Sequence, residues 1–118
     1  MSPDKRNVPR FRTTLGIVSS DERGLNFSFV TNLSRDGAYI ETEKLMPVGT
    51  PFTFVLSNRL TQAPVTSRVV RMRDAFFEGG KSGVGVRFEQ LDGLARALRD
   101  DLLLCLMNEP YHNKWGNS

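Results

Sequence analysis

Leu25-Asn26-Phe27-Ser28-Phe29-Val30-Thr31-Asn32-Leu33-Ser34-Arg35-Asp36-Gly37-Ala38-Tyr39-Ile40-Glu41-Thr42-Glu43 is the stretch whose reading decides the fold. Its first part sets Leu25, Phe27, Phe29 and Leu33 in alternation with Asn26, Ser28 and Asn32. Period-two alternation with aromatic weight predicts a half-buried strand, with the phenylalanines in the core-facing register. Ser34-Arg35-Asp36-Gly37 then supplies good turn chemistry. Alternation resumes at once, with Ala38, Ile40 and Thr42 set against Tyr39, Glu41 and Glu43. The stretch reads strand, tight turn, strand.

The same period extends in both directions. Phe52, Phe54 and Leu56 alternate with Thr53, Val55 and Ser57, and Val84, Val86 and Phe88 with Gly85, Arg87 and Glu89. Two more strands are expected at Thr13–Ser19 and Val65–Arg73; the second has a mixed pattern that leaves its inward face open. Asp21-Glu22-Arg23-Gly24, Met46-Pro47-Val48-Gly49 and Glu78-Gly79-Gly80-Lys81 break the chain between them. Six short strands without intervening helices predict an all-β fold, an antiparallel barrel or sandwich. Near the C-terminus the period changes: Leu91, Leu94, Ala95, Leu98, Leu102, Cys105 and Leu106 recur at helical spacing, with Asp92 placed to cap. A helix of about four turns follows from ~3.6 residues per turn, and it should close one end of the β fold. Leu103, Leu104 and Met107 widen its apolar face, which favours deeper burial and a monomer over a helix-mediated dimer. Pro110 ends the helix, and Trp115 in the tail is a candidate anchor back onto the body.

The 118 residues, 39% hydrophobic and 25% charged, suit one soluble globular domain. No run reaches the ~18 apolar residues that would cross a membrane. The basic start is not followed by an apolar segment, so a secretory leader is not expected and a cytoplasmic location is the default. Lys5, Arg6, Arg10 and Arg12 oppose only Asp4, which puts the whole net charge of +3 in residues 1–12. A basic arm on a neutral body suggests an anionic partner. The chain therefore divides into an arm (1–12), a barrel plus helix (13–108) and a tail (109–118).

Catalytic and metal-binding constellations are not expected. His112 is the sole histidine and lies in the tail, and Cys105 is the sole cysteine. One of each makes neither a nucleophile–base pair on a fixed scaffold nor an ordinary zinc site. Within Leu102-Leu103-Leu104-Cys105-Leu106-Met107, Cys105 reads as a small buried core residue. Gly79-Gly80-Lys81-Ser82 lacks the earlier glycine of a phosphate-binding loop and precedes a strand, so it reads as a hairpin turn.

Two motifs remain. Arg6-Asn7-Val8-Pro9-Arg10 is an R-x-x-x-R in the arm, and Asn32-Leu33-Ser34-Arg35-Asp36-Gly37 is an N-x-S-x-x-G between two strands. In this order, ahead of Val84-Gly85-Val86-Arg87-Phe88 and a closing helix, they resemble the PilZ domain family over residues 5–107. The resemblance implies a six-stranded antiparallel β-barrel with a C-terminal helix that binds the bacterial messenger cyclic di-GMP. It implies no catalysis, and an effector protein as the output, because 118 residues leave no room for an output domain. Carried across, Arg6 and Arg10 contact guanines and phosphates, while Asn32, Ser34 and Gly37 line the pocket on the barrel. Arg35 is a plausible extra contact, and Lys5 another.

The residue types suit that ligand. A planar guanidinium donates two parallel bonds to the O6/N7 edge of guanine or to a phosphate, and also stacks on a base. Pro9 stiffens the arm, Asn32 and Ser34 offer short hydrogen-bonding side chains, and Gly37 permits an unusual backbone angle or a close approach. Asn32–Gly37 is also readable as a β-turn held by side-chain bonds. Two other functions stay open. One is a PilZ-fold interaction domain that has lost nucleotide binding. The other is a small barrel that stacks single-stranded nucleic acid on exposed aromatics.

Overall fold

The computed structural model describes residues 9–21, 23–75 and 80–108. Lys5, Arg6, the Glu78-Gly79 half of one turn, Pro110, His112 and Trp115 lie outside the described residues. The elements in chain order are β1 (Phe11–Asp21), β2 (Gly24–Leu33), β3 (Gly37–Glu41), β4 (Pro51–Ser57), β5 (Gln62–Arg73), β6 (Gly83–Phe88) and α1 (Gly93–Met107). All strand pairs are antiparallel and close into a barrel in the order β1-β2-β3-β6-β5-β4. Closure removes the open edges that would otherwise invite pairing with other chains.

The inner wall is mostly β-branched: Ile17, Val30, Ile40, Val65, Val69, Val84 and Val86, with Phe54, Leu33 and Leu56 as the large fillers. Burying each such side chain contributes about 1.5–3 kcal/mol. In β5 the buried set is Ala63, Val65, Ser67 and Val69, so the inward face that the sequence left open is fixed by strict alternation. Ser67 is fully buried, and its hydroxyl donates to the Phe52 carbonyl at 2.7 Å. That bond removes the penalty of burying a hydroxyl.

Strand β2 departs from expectation. Ser28 and Val30 face inward, whereas Leu25, Phe27 and Phe29 face out, Phe27 being 75% exposed. The cause is a register shift between Val30 and Asn32 opposite β3. A bulge of this kind reverses the parity of everything beyond it. Leu33 is therefore buried three residues after Val30, and a single phase read through the whole strand assigns the phenylalanines to the wrong face. Among the aromatic residues expected inside, Phe54 is buried and Phe52 and Phe88 pack partly buried against the core.

Helix α1 begins with the Asp92 carboxylate accepting from the Ala95 amide at 2.8 Å. Ala95, Leu98, Leu102 and Leu103 are buried where the helix meets β5, β1 and β4. Cys105 is exposed, not core filler, and Leu104 and Met107 are also exposed. Leu104 lies half a turn from Leu102, on the far side of the helix. Cys105 belongs to the last turn, where it borders an open basin beside β1.

Candidate functional site

One row of paired residues crosses five strands on the outer wall. Arg12 of β1 pairs with Asn32 of β2, Asn32 with Tyr39 of β3, Tyr39 with Gly85 of β6, and Gly85 with Arg71 of β5. Residues directly opposite in neighbouring strands share a face. Gly85 has no side chain in the middle of the row, so the wall is dished there. A Cβ added to it would sit 3.5 Å from the Arg71 Cβ. Over this depression lies a pocket of about 290 Å³ that Arg10, Asn32, Ser34, Gly37, Tyr39, Arg71 and Arg87 help to line. It adjoins a wider basin of about 1270 Å³ that shares Arg10, Asn32, Tyr39 and Arg71 and adds Arg12 and Arg73.

The β2–β3 turn forms one rim. The Ser34 amide donates to the Gly37 carbonyl at 2.9 Å, and the Ser34 hydroxyl accepts from the Asp36 and Gly37 amides at 3.3 and 3.2 Å. Ser34 thus holds the turn, as side chains of its type do. Gly37 does not have positive φ, so no unusual backbone angle is needed there. Its requirement is space: a Cβ would lie 2.1 Å from the Val86 carbonyl oxygen of β6. The Asn32 side chain makes no bond to a described residue and keeps its donors and acceptor for the pocket.

The local electrostatics are one-sided. Arg10, Arg71 and Arg87 border the pocket and have no hydrogen-bond or ion-pair partner among the described residues, and Asp36 is the only acid at the rim. Three guanidiniums against one carboxylate leave an excess of positive charge around the depression, and an anion relieves that repulsion. Desolvation by burial pushes the Tyr39 hydroxyl above its ordinary pKa, against the opposing pull of Arg73 and Arg71. The phenol stays neutral, and its O–H donates to the Lys81 carbonyl at 3.2 Å.

Of the residues expected from the sequence, Arg10, Asn32, Ser34 and Gly37 meet at this pocket. Arg35 points to a different groove, on the far side of the turn. Arg6 lies outside the described residues. Tyr39, Arg71 and Arg87 were not foreseen. The signal for Tyr39 was its alternation with Ile40, which marks it as outward-facing directly after the turn. Arg71 and Arg87 carry no local signal, because only barrel closure brings them to the turn. Among the described residues no cluster could hold a metal ion, and no helix is long and apolar enough to cross a membrane.

Fold and pocket together define a small β-barrel domain with a basic patch on its outer wall. The chain belongs to the PilZ domain family, whose model matches residues 4–104. Among solved structures it is similar to the PilZ domain with c-di-GMP of YcgR from Escherichia coli, with TM-score 0.72 and 10% identity over 93% of this chain and 97% of that one. The K. pneumonia MrkH–c-di-GMP complex matches with TM-score 0.74 and 13% identity, covering 92% of this chain and 55% of that one. The Bacillus subtilis inhibitor of motility, MotI, matches with TM-score 0.71 and 13% identity, covering 92% and 52%. This chain thus spans about half the length of those last two proteins, and at such identities the likeness is one of fold. Among curated proteins none matches the chain in sequence.

Proposed function

We propose that this chain is a cyclic di-GMP receptor that acts in the cytoplasm by passing the bound state to a partner protein. The observation that carries the reading is the meeting of Arg10, Asn32 and the Ser34–Gly37 turn at a pocket bordered by unpaired Arg71 and Arg87. Arg10, with Arg6 one motif spacing before it in the arm, clamps the ligand through bidentate bonds to guanine edges or phosphates. Asn32 reads a polar edge of the ligand, Ser34 and Gly37 hold the rim open, and Arg71 neutralises phosphate from the opposite wall. Support comes from family membership and from similar folds whose structures contain c-di-GMP.

The exposure of Phe27 and Phe29 removes one argument against single-stranded nucleic acid. Neither ring borders the arginine pocket, however, and stacking platforms serve a strand only when interleaved with its charge track. The test is calorimetry on the whole chain with cyclic di-GMP, GTP and a short single-stranded oligonucleotide. Saturable heat with cyclic di-GMP, not displaced by excess GTP, is expected. No heat at high micromolar ligand would leave the chain an interaction domain that does not bind the nucleotide, and tighter oligonucleotide binding would favour the stacking barrel.

A further inference from the structure

Behind the β2–β3 turn lies a second groove, of about 550 Å³, walled by Arg35, Arg87, Phe88, Leu91, Arg96 and Arg99. Its own acids are Asp36 and Glu89, and Glu89 is taken by Arg68 at 2.8 Å. Arg35, Arg87 and Arg96 have no carboxylate partner among the described residues. The groove is built rather than incidental. Arg99, whose side chain is only 15% exposed, donates to the Arg35 carbonyl at 3.1 Å and so ties α1 to the turn. Arg96 donates to the Leu91 carbonyl at 3.3 Å, which holds its guanidinium over the helix start. Half-buried Phe88 and Leu91 supply an apolar floor between the cations.

The turn separates this groove from the pocket described above, and Asp36 and Arg87 border both. The Phe88 amide also donates to the Asp36 carbonyl at 2.8 Å, so the turn and the end of β6 move together. An anion that draws Arg87 toward the pocket takes it from the groove, and a shift of the turn moves Arg35 and Arg99 with it. Any coupling between sites that share a wall and a charge is reciprocal.

We propose that this groove docks an acidic, partly apolar segment of a partner protein, and that the Ser34–Gly37 turn couples its occupancy to the nucleotide pocket. Unpaired arginines suit carboxylates, while the Phe88–Leu91 floor suits apolar side chains between them and gives nothing to a bare phosphate backbone. The coupling rests on the proposed nucleotide function; the docking does not.

The experiment uses the whole chain and a fluorescein-labelled peptide of mixed Glu and Leu residues, read by anisotropy with and without saturating cyclic di-GMP. Saturable binding is expected, with a nucleotide-dependent change in affinity of about fivefold or more, the lower range of known couplings. Arg96→Glu combined with Gln90→Glu should weaken the peptide about tenfold, equivalent to 1.4 kcal/mol, and leave the calorimetric nucleotide signal intact. Circular dichroism checks that this variant is folded, and wild type with Arg96→Gln alone, which removes charge without reversing it, should fall between. Equal peptide affinity in the reversed variant overturns the docking site, as does a single-stranded oligonucleotide that outcompetes the peptide. Peptide affinity indifferent to bound nucleotide overturns the coupling. Peptide binding by a chain that gives no nucleotide heat supports the docking site while refuting the nucleotide reading, so the two failures are distinguishable.

Discussion

Gly37 and Gly85 border the same pocket for different physical reasons, and their substitutions should separate. A Cβ at Gly37 meets a carbonyl oxygen of β6 at 2.1 Å, and backbone cannot step aside as a side chain tip can. Gly37→Ala should therefore destabilise by about 1–3 kcal/mol, in the range of other overpacked sites, with the midpoint of urea unfolding as the readout. At Gly85 the nearest atom is 3.5 Å away, an ordinary contact. Gly85→Ala should fold normally and weaken cyclic di-GMP, because the new methyl fills the dish beneath Arg71. Arg10 is exposed with no partner among the described residues, so Arg10→Ala should change stability by no more than about 0.5 kcal/mol. The same change should cost about 1.5–3 kcal/mol of nucleotide affinity, the usual value of a charged hydrogen bond. Unaltered calorimetry for Arg10→Ala would remove the arm from the site. At this scale Asn32, Ser34 and Gly37 were legible because they form a turn motif, and the Ser34 hydroxyl bonds within that turn. Gly37 was legible for a partly mistaken reason, since what it needs is clearance and not a positive φ.

Strands and helix differ in how their stability divides between packing and termini. α1 is capped by Asp92 and buries Ala95, Leu98, Leu102 and Leu103. Leu98→Ala should cost about 2–5 kcal/mol as a buried truncation, and Asp92→Ala about 1 kcal/mol as a lost cap. Thermal melts of the two variants check the order; a costlier cap than core leucine would mean that the helix is not held by its packed face. Element types and turns were legible because period two and period 3.6 are strong, local patterns. The phase of β2 was not. Leu25, Phe27 and Phe29 compete with Val30 for the inside, and the register shift beside Asn32 decides between them. That shift is a property of pairing with β3 and leaves no mark in the composition of β2. Cys105 was misplaced for a related reason: tertiary packing decides which edge of a helical stripe reaches the barrel, and Leu102 and Leu106 pack on it whereas Cys105 does not.

Across the whole molecule, the balance of charge conceals the feature that matters. Beyond the arm, twelve basic and twelve acidic groups cancel in sum. Yet closing the barrel gathers Arg71, Arg87 and Arg35 around one turn, while nearby acids such as Glu89 and Asp100 are taken up by Arg68 and Arg99. A ligand in this pocket touches β2, β3, β5 and β6 at once, so it binds only the closed barrel and not its parts. Such a ligand shifts the global unfolding equilibrium by mass action, by about 2.7 kcal/mol at a hundredfold excess over its dissociation constant. For a domain of this size that corresponds to a rise in melting temperature of roughly 10 °C. Circular dichroism and hydrogen exchange should report one transition that moves as a unit with cyclic di-GMP and stays put with GTP. The rise should shrink with added salt, because guanidinium–phosphate attraction between exposed groups is screened within about 10 Å at 0.1 M. In Arg71→Ala, whose guanidinium lies across the pocket from Arg10, the rise should fall while the melt without ligand stays within a few degrees of wild type. A full rise in that variant would mean that the opposite wall takes no part in binding.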